Sequence, residues 1–275
     1  KGGRILYTLT PELGATQLVT QFLEDRKEGQ KLIGPVSWDE CPHIPPERQA
    51  ELLSGIPEHE HEMRSRGIPF FGSGMVYPIA EDRISVPDMK VPPHWRVIRA
   101  MDLGINHPTA IVWLAHDTET DTIYVVKTYA VKGENAATHA AAANKLYDFA
   151  PVVFPHDVDM TEKGSGKTVR RFYNEAGLTR TLDFKNADGS ISVEPGIMQL
   201  MERMRDGRFK VFHSCIEFFR EFRLYHRKEG KLVKENDDVM DATRYGAIMI
   251  GRYGVPIDKG YRRKPKYKRA MKGRR

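Results

Sequence analysis

The sequence predicts an α/β protein in which helices flank a mixed β-sheet, and three observations support this class. Three strand-like runs follow one another between residues 95 and 131, separated only by turn-length breaks. After them, helix-forming and strand-forming segments alternate as far as Gly251. A stretch broken by ten prolines, from Gly29 to Pro93, precedes them. Consecutive strands followed by alternating elements predict a meander joined to further strands through helices.

The N-terminal residues 1–92 are expected to form a small proline-rich linker subdomain. RILYTL (residues 4–9) is typical of a short strand, and ATQLVTQFLED (residues 15–25) has the spacing of an amphipathic helix. Proline leaves room only for short helices after that, such as PPERQAELLSGI (residues 45–56). Because the chain starts on a strand, we expect it to be part of a longer protein.

Residues 93–255 are expected to form the main domain. Its meander consists of WRVIRAMDLG, TAIVWLAHD and TIYVVKTYAV, which are rich in β-branched and aromatic residues. The later segments are predicted to alternate, in the order helix 135–150, strand 151–157, helix 165–177, strand 179–184, helix 194–207, strand 208–213, helix 215–228 and helix 237–251. This order of elements is that of a ribonuclease H-like fold.

Composition excludes several classes of protein. With 275 residues and 40% hydrophobic residues, the chain can bury a large core. No apolar run approaches the ~20 residues of a membrane span, and the polar start KGGRILYTLT lacks the apolar region of a signal peptide. Cys41 and Cys215 are the only cysteines, which argues against a disulfide framework or structural zinc. We therefore expect a soluble protein of the cytoplasm, with no membrane partner.

The positive charge is concentrated in a C-terminal tail. Residues 256–275 contain ten Lys or Arg and one Asp, so this segment carries +9, whereas the whole chain carries +6 and its remainder −3. Such a composition cannot form a core, and we expect a flexible arm that either binds DNA phosphates or only solubilises the terminus. The predicted DNA contacts are Lys167, Arg170, Arg262, Arg263, Lys264, Lys266, Lys268 and Arg269. Lys167 and Arg170 fit a solvated helix face equally well.

Four aspartates occupy positions typical of a metal site. Asp102 and Asp157 follow apolar strands, in AMDLG and VVFPHD, and Asp238 and Asp241 open the last helix, in DDVMDATRYG. Carboxylates are costly to bury unless they are paired or bind a metal, so we expect them to converge on one divalent-cation site. Oxygen ligands favour Mg²⁺ or Mn²⁺ over zinc.

Other roles are open for some of these carboxylates. Asp102 and Asp157 could bond turn amides, and one of the first two acids of the last helix could cap its N-terminus. Spacing pairs Asp241 with Asp238 or with Asp237, and we rank Asp241 first, Asp238 second and Asp237 third. Asp159 is a possible outer ligand beside Asp157, and His107 is expected at the rim of the site.

The three stretches AMDLG, VVFPHD and DDVMDATRYG, in this order, resemble the large terminase subunit of tailed bacteriophages, the motor that packages viral DNA and cuts it. LYTLTPELG and GMVYP, ahead of the meander, support the resemblance. Residues 93–255 resemble the nuclease domain, and residues 1–92 resemble the end of the ATPase region and its linker. One departure is Asp238, which stands where many relatives have His.

The resemblance implies an endonuclease that cuts concatemeric double-stranded DNA through two Mg²⁺ or Mn²⁺ ions. Asp102, Asp157 and Asp241 would be catalytic, with Asp102 bridging the ions, Asp157 holding one, and Asp241 with Asp238 holding the other. Its partners would be DNA, the portal or procapsid and the small terminase subunit, in the host cytoplasm. The full-length protein would be an oligomeric motor, and the fragment itself could be a monomer.

Two alternatives share parts of this pattern. A ribonuclease H-like recombinase or junction resolvase would use the same acidic geometry, and a non-catalytic module could bind DNA or procapsid through the tail. GSGKT (residues 164–168) resembles a phosphate-binding loop, but Thr161 stands where that motif requires its first glycine. ATP hydrolysis is therefore not expected from this chain.

Overall fold

The computed structural model describes residues 6–8, 22, 28–31, 36–56, 61–67, 74–104, 106–159, 166–228 and 230–258. Of the predicted strand 4–9, the described residues 6–8 have no regular secondary structure. The predicted helix 15–25 lies outside the described residues except for Phe22, as does the basic tail from residue 259 onwards. The predicted helix 45–56 is confirmed at Pro46–Ser54, with proline in its first turn.

The described elements follow the predicted order with four short strands added. The helices are α1 Pro46–Ser54, α2 His61–Arg66, α3 Glu81–Ile84, α4 Ala136–Ala143, α5 Val169–Glu175, α6 Val193–Arg205, α7 Ile216–Leu224 and α8 Asp238–Tyr253, with a 3-10 turn at Trp38–Glu40. The strands are β1 Ser85–Val86, β2 Arg96–Asp102, β3 Thr109–Asp117, β4 Thr122–Val131, β5 Val152–Phe154, β6 Thr181–Asp183, β7 Phe209–Phe212, β8 Arg227–Lys228, β9 Lys231–Leu232 and β10 Val255–Pro256.

One mixed sheet organises the main domain. Its strand order within the described residues is β1-β7-β4-β3-β2-β5-β6, and β10 pairs with β2. β2, β3 and β4 are the predicted antiparallel meander. β5 runs parallel to β2, and β6 runs parallel to β5. The carboxyl ends of β2, β5 and β6 therefore lie at one edge of the sheet, and this edge carries the aspartates discussed below.

Helices cover both faces of the sheet. All nine residues of β3 are buried, which is typical of a strand covered on both sides. On one face, the Trp113 indole donates a hydrogen bond to the Leu146 carbonyl after α4 (2.9 Å). On the other face α8 approaches β3 closely at Gly246, where an added Cβ would lie 2.3 Å from Leu114 Cδ1. Glycine at this position allows α8 to lie directly on the sheet.

Two predicted helices end early in the structure. The helix predicted for residues 135–150 ends at Ala143, and the positive φ of Tyr147 (52°) is incompatible with its continuing. The other is α7. The sequence predicts a helix through residue 228, but α7 ends at Leu224 and β8 pairs with β9 in a two-stranded hairpin. Gly230, with φ of 76°, allows the chain to reverse there. The hairpin leads directly into α8.

The N-terminal part also contributes to the sheet. β1 pairs in parallel with β7, and Val76, Tyr77 and Ile84 belong to the hydrophobic core. The division of the chain after residue 92 stays a prediction, and the described residues just before it pack with the main domain. Among the described helices, none combines the length and apolar character that a bilayer crossing requires.

Candidate metal centre

A tight turn follows Asp102 at the end of β2. A Cβ on Gly104 would lie 2.2 Å from the His107 carbonyl oxygen, so only glycine fits this turn. The Gly104 amide donates to Thr109 Oγ1, and the Thr109 hydroxyl donates back to the Gly104 carbonyl, both at 3.2 Å. The turn brings His107 back towards Asp102.

The start of α8 is capped from another helix. Asp237 occupies the N-cap position, but its side chain makes no capping hydrogen bond. Instead, Glu221 of α7 accepts hydrogen bonds from the backbone amides of Val239 (2.7 Å) and Met240 (3.2 Å). The carboxylates of Asp237 and Asp238 are therefore left for other contacts, and helix capping does not account for them.

Three side chains from the two ends of the domain meet here. Asp102, His107 and Asp238 each present one potential metal ligand atom, and these atoms lie within 4.8 Å of one another. His107 Nδ1 is hydrogen-bonded to Asp238 Oδ1, across 131 positions of sequence. Asp238 is buried, Asp102 is partly buried and His107 is exposed, so the cluster is open on the histidine side.

Asp241 lies one turn further along α8 and is held by two cations. Its Oδ1 accepts hydrogen bonds from Arg244 Nη2 (3.0 Å) and Nε (3.3 Å). Its Oδ2 accepts a hydrogen bond from Lys234 Nζ at 3.0 Å. The same Lys234 ammonium lies 3.1 Å from Asp237 Oδ2. Both oxygens of Asp241 are therefore in ion pairs.

The electrostatic environment opposes ionisation of Asp102. Burial, followed by the charges of Asp241, Asp238 and Asp237, raises the pKa of Asp102 from its ordinary 3.8 to about 8. Burial is also the main cause that raises the pKa of Asp237 and that of Asp238.

Two more buried groups of this region share the effect. Burial raises the pKa of Glu221 to about 8 despite its bond from the Val239 amide. Burial and then the neighbouring charge of Asp102 raise the pKa of Tyr245. Arg244 and Lys234 compensate this group of carboxylates only in part. Its oxygen ligands suit a hard divalent cation, whose charge would offset the remaining repulsion.

The other predicted site residues lie nearby or outside the described part. Asp157 is exposed in the turn after β5, the strand beside β2, and it is not a member of the three-residue cluster. Arg170 donates to Asp159 (2.7 Å) and to Asp183, and Lys167 donates to Glu175 (2.8 Å). The predicted tail contacts Arg262, Arg263, Lys264, Lys266, Lys268 and Arg269 lie outside the described residues.

Sequence reasoning missed four residues of this region. Glu221, Lys234 and Tyr245 reach the aspartates only through the fold. Arg244 carried a local signal, because its spacing of three from Asp241 on a helix favours an ion pair.

Comparison with known proteins identifies the family of the chain. Residues 99–249 match the family described as the Terminase RNaseH-like domain. The chain belongs to this terminase family. Both the predicted ribonuclease H-like class and the predicted resemblance to the terminase large subunit are confirmed.

Several relatives are terminase large subunits. The chain is 42% identical over 247 residues to that of Salmonella phage P22, covering 89% of this chain and 49% of the relative. The Enterobacteria phage LP7 subunit is also 42% identical, covering 89% and 52%. This chain thus spans about half the length of these curated relatives.

Solved structures agree in fold. The P22 large terminase nuclease domain matches with a TM-score of 0.62 and 41% identity, over 67% of this chain and 96% of that domain. The large terminase of a thermophilic bacteriophage, at 18% identity, has a TM-score of 0.51 over 76% of this chain and 53% of its own. The latter supports the fold alone.

Proposed function

We propose that this chain is the nuclease part of a DNA-packaging terminase and that it hydrolyses phosphodiester bonds of double-stranded DNA with divalent cations. The observation that carries the proposal is the convergence of Asp102, His107 and Asp238 in a member of the terminase family. Carboxylates that raise one another's pKa are stable together in ionised form only when cations compensate them.

Two Mg²⁺ or Mn²⁺ ions fit this ligand chemistry. Asp102, His107 and Asp238 would hold one ion, and Asp241 and Asp157 would complete the site for the second, with Asp102 shared. Bound divalent cations would supply charge neutralisation and Lewis acidity for phosphodiester hydrolysis. Asp157 can take part because its turn follows β5, directly beside the strand that ends in Asp102.

The surrounding residues would position the ligands. Glu221 fixes the start of α8, which carries Asp238 and Asp241. Arg244 holds one oxygen of Asp241 in a set direction. Such outer contacts orient metal ligands and limit the number of geometries they can adopt.

The wider role of the whole protein follows by family. Its substrate would be concatemeric DNA, with residues 256–275 as an arm that binds phosphates and residues 1–92 as the end of an ATPase region and linker. The portal or procapsid and the small terminase subunit would be its partners in an oligomeric motor in the host cytoplasm.

A plasmid-nicking assay tests the proposal. Wild-type protein with Mn²⁺ is expected to convert supercoiled DNA to nicked and linear forms, and chelator or Asp102→Ala is expected to abolish this while the fold is retained. Asp188→Asn, which changes an exposed aspartate of a turn, is the matched control and should cut normally. Retained cutting by Asp102→Ala would overturn the assignment.

Mn²⁺ binding is measured by calorimetry in parallel. It shows whether a loss of cleavage comes from loss of the metal ion or from loss of DNA access to the site. Wild-type protein should bind Mn²⁺, and Asp102→Asn and Asp238→Asn should each weaken binding by at least about tenfold. Salt-sensitive DNA binding without cleavage or Mn²⁺ binding would favour a binding module instead. Symmetric cutting of four-way junctions, with linear duplex ignored, would favour a resolvase.

A further inference from the structure

Asp241 is held by two cations that differ in mobility. Arg244 lies on the same helix, and its side chain is 3% exposed. Its guanidinium packs over the rings of Phe184 (5.1 Å) and Tyr245 (4.7 Å). Arg244 is therefore fixed in place and cannot leave Asp241 without disrupting the core.

Lys234 is the opposite case. It lies between β9 and α8, and its side chain is 55% exposed although its ammonium contacts two carboxylates. A lysine stem has four flexible carbons and a strongly hydrated head, so the ammonium can move into water without disrupting the core. One exposed ion pair is weak, but the Lys234 ammonium makes two, and both are lost when it moves away.

We propose that Lys234 is a displaceable cation of the metal centre. Its ammonium neutralises Asp237 and Asp241 when no divalent cation holds Asp241, and it leaves when such a cation binds. Lys234 is thus a positioning residue that limits how readily the centre fills. The inference rests on the proposed function, because it requires Asp241 to be a metal ligand.

Simple geometry makes the two cations competitors. A divalent ion on Asp241 Oδ2 would lie about 2 Å from that oxygen. The Lys234 nitrogen is 3.0 Å from the same oxygen. The two positive charges could then be no more than about 5 Å apart, where their repulsion is strong in a partly buried site. Binding of the ion therefore includes the work of moving Lys234 away.

Calorimetric titration of Mn²⁺ into the 275-residue chain tests this. The binding step that depends on Asp241 is identified by its loss in Asp241→Asn. In Lys234→Met and Lys234→Gln, that step is expected to be at least about tenfold tighter. Lys234→Arg keeps the charge and should stay within about threefold of wild type.

Lys231→Met is the matched control, since it removes an equal charge from an exposed lysine of β9. It should leave Mn²⁺ affinity nearly unchanged. If general charge effects alone were responsible, Lys231→Met and Lys234→Met would tighten Mn²⁺ binding equally. In chelator, Lys234→Met should also unfold at a lower temperature than Lys231→Met, because two acidic groups lose their cation. If the ion pairs of Lys234 contributed nothing, Lys234→Met would change neither the Mn²⁺ affinity nor the unfolding temperature.

The outcomes separate this inference from the proposed function. If wild-type protein binds no Mn²⁺, the metal centre itself is refuted, and the role of Lys234 with it. If wild-type protein binds Mn²⁺ but the neutral Lys234 variants bind it equally or more weakly, the displaceable cation is refuted and the metal centre stands. If Asp241→Asn loses no binding step, Asp241 is not a ligand and the inference also fails.

Discussion

Replacing Asp102 by Asn is expected to stabilise the metal-free protein at neutral pH. The raised pKa of Asp102, about 8, means that the folded state keeps a proton that the unfolded state releases above its ordinary value of 3.8. Between these values the folded chain binds more protons, so the stability contributed by this group is present below about pH 4 and is lost as pH rises towards 8. Asn carries no such titration.

The magnitude follows from the width of this window. At pH 7 the Asp102 carboxyl is still protonated in the folded state, although the pH is about three units above its pKa in the unfolded state. This difference lowers the free energy of unfolding by roughly 4 kcal/mol. Asn removes this cost, but its amide is partly buried and lacks hydrogen-bond partners, which costs about 1–2 kcal/mol of stability. The net stabilisation is then about 2 kcal/mol, or a rise of about 4–8 °C in the unfolding midpoint for a domain of this size. Near pH 4 the sign reverses, because only the cost of the amide remains.

Thermal unfolding in chelator from pH 4 to pH 8 measures the effect. Asp121→Asn is a control of opposite sign. Burial alone would raise the pKa of Asp121, but its bonds from His116, Arg203 and Arg208 lower it. That variant should be less stable than wild type by a constant amount from pH 4 to pH 8, because the contribution of Asp121 is lost only below about pH 4.

Adding Mn²⁺ should reduce the stability advantage of Asp102→Asn. Wild-type protein gains about 2.7 kcal/mol when the ion is at a hundred times its dissociation constant, whereas a variant that binds the ion tenfold more weakly gains about 1.4 kcal/mol. If Asp102→Asn were no more stable than wild type at pH 7 in chelator, or if the difference did not grow with pH, the buried-carboxylate argument would be wrong.

Two further substitutions probe how α8 is held. Glu221→Ala removes the acceptor for the Val239 and Met240 amides, whereas Glu221→Gln keeps one, and both variants remove the raised pKa of Glu221 alike. The Ala variant should therefore be about 1–2 kcal/mol less stable than the Gln variant in urea unfolding, and equal stability of the two would argue against the cap. Gly246→Ala places a Cβ 2.3 Å from Leu114 and should cost about 1–3 kcal/mol, whereas Gly251→Ala, with open space around it in the same helix, should be neutral or slightly stabilising. Similar effects of the two alanines would show that α8 does not approach the sheet closely.

The sequence predicts the long elements because their patterns are local. β3 contains an uninterrupted apolar run over residues 110–115, and β2 ends just before Gly104, which breaks the pattern. The strands that were missed, such as β1 and β10, have two residues each, and two residues show no periodicity. The amphipathic pattern of α7 continues past Leu224, but the hairpin around Gly230 ends the helix.

Some residues of the candidate site could likewise be predicted from local patterns, and others could not. Asp102 and Asp238 can be singled out because an acid at the end of a strand or the start of a helix has a local signature. Glu221 and Lys234 have none, because their roles arise when α7 and the loop after β9 meet the start of α8. The local sequence also favours Asp237 or Asp238 as the cap of α8, but in the structure Glu221 caps this helix.

Capping of α8 by Glu221, and not by its own aspartates, has a physical consequence. A helix N-terminus favours anions, and α8 places three aspartates in or beside its first turn. Because Glu221 supplies the cap, those aspartates can face Asp102 instead of their own backbone. The fixed charge of Arg244 and the exposed Lys234 balance only part of this group of acids. The remaining repulsion both lowers the stability of the metal-free protein and raises its affinity for divalent cations, so a substitution that relieves the repulsion should change the two in opposite directions.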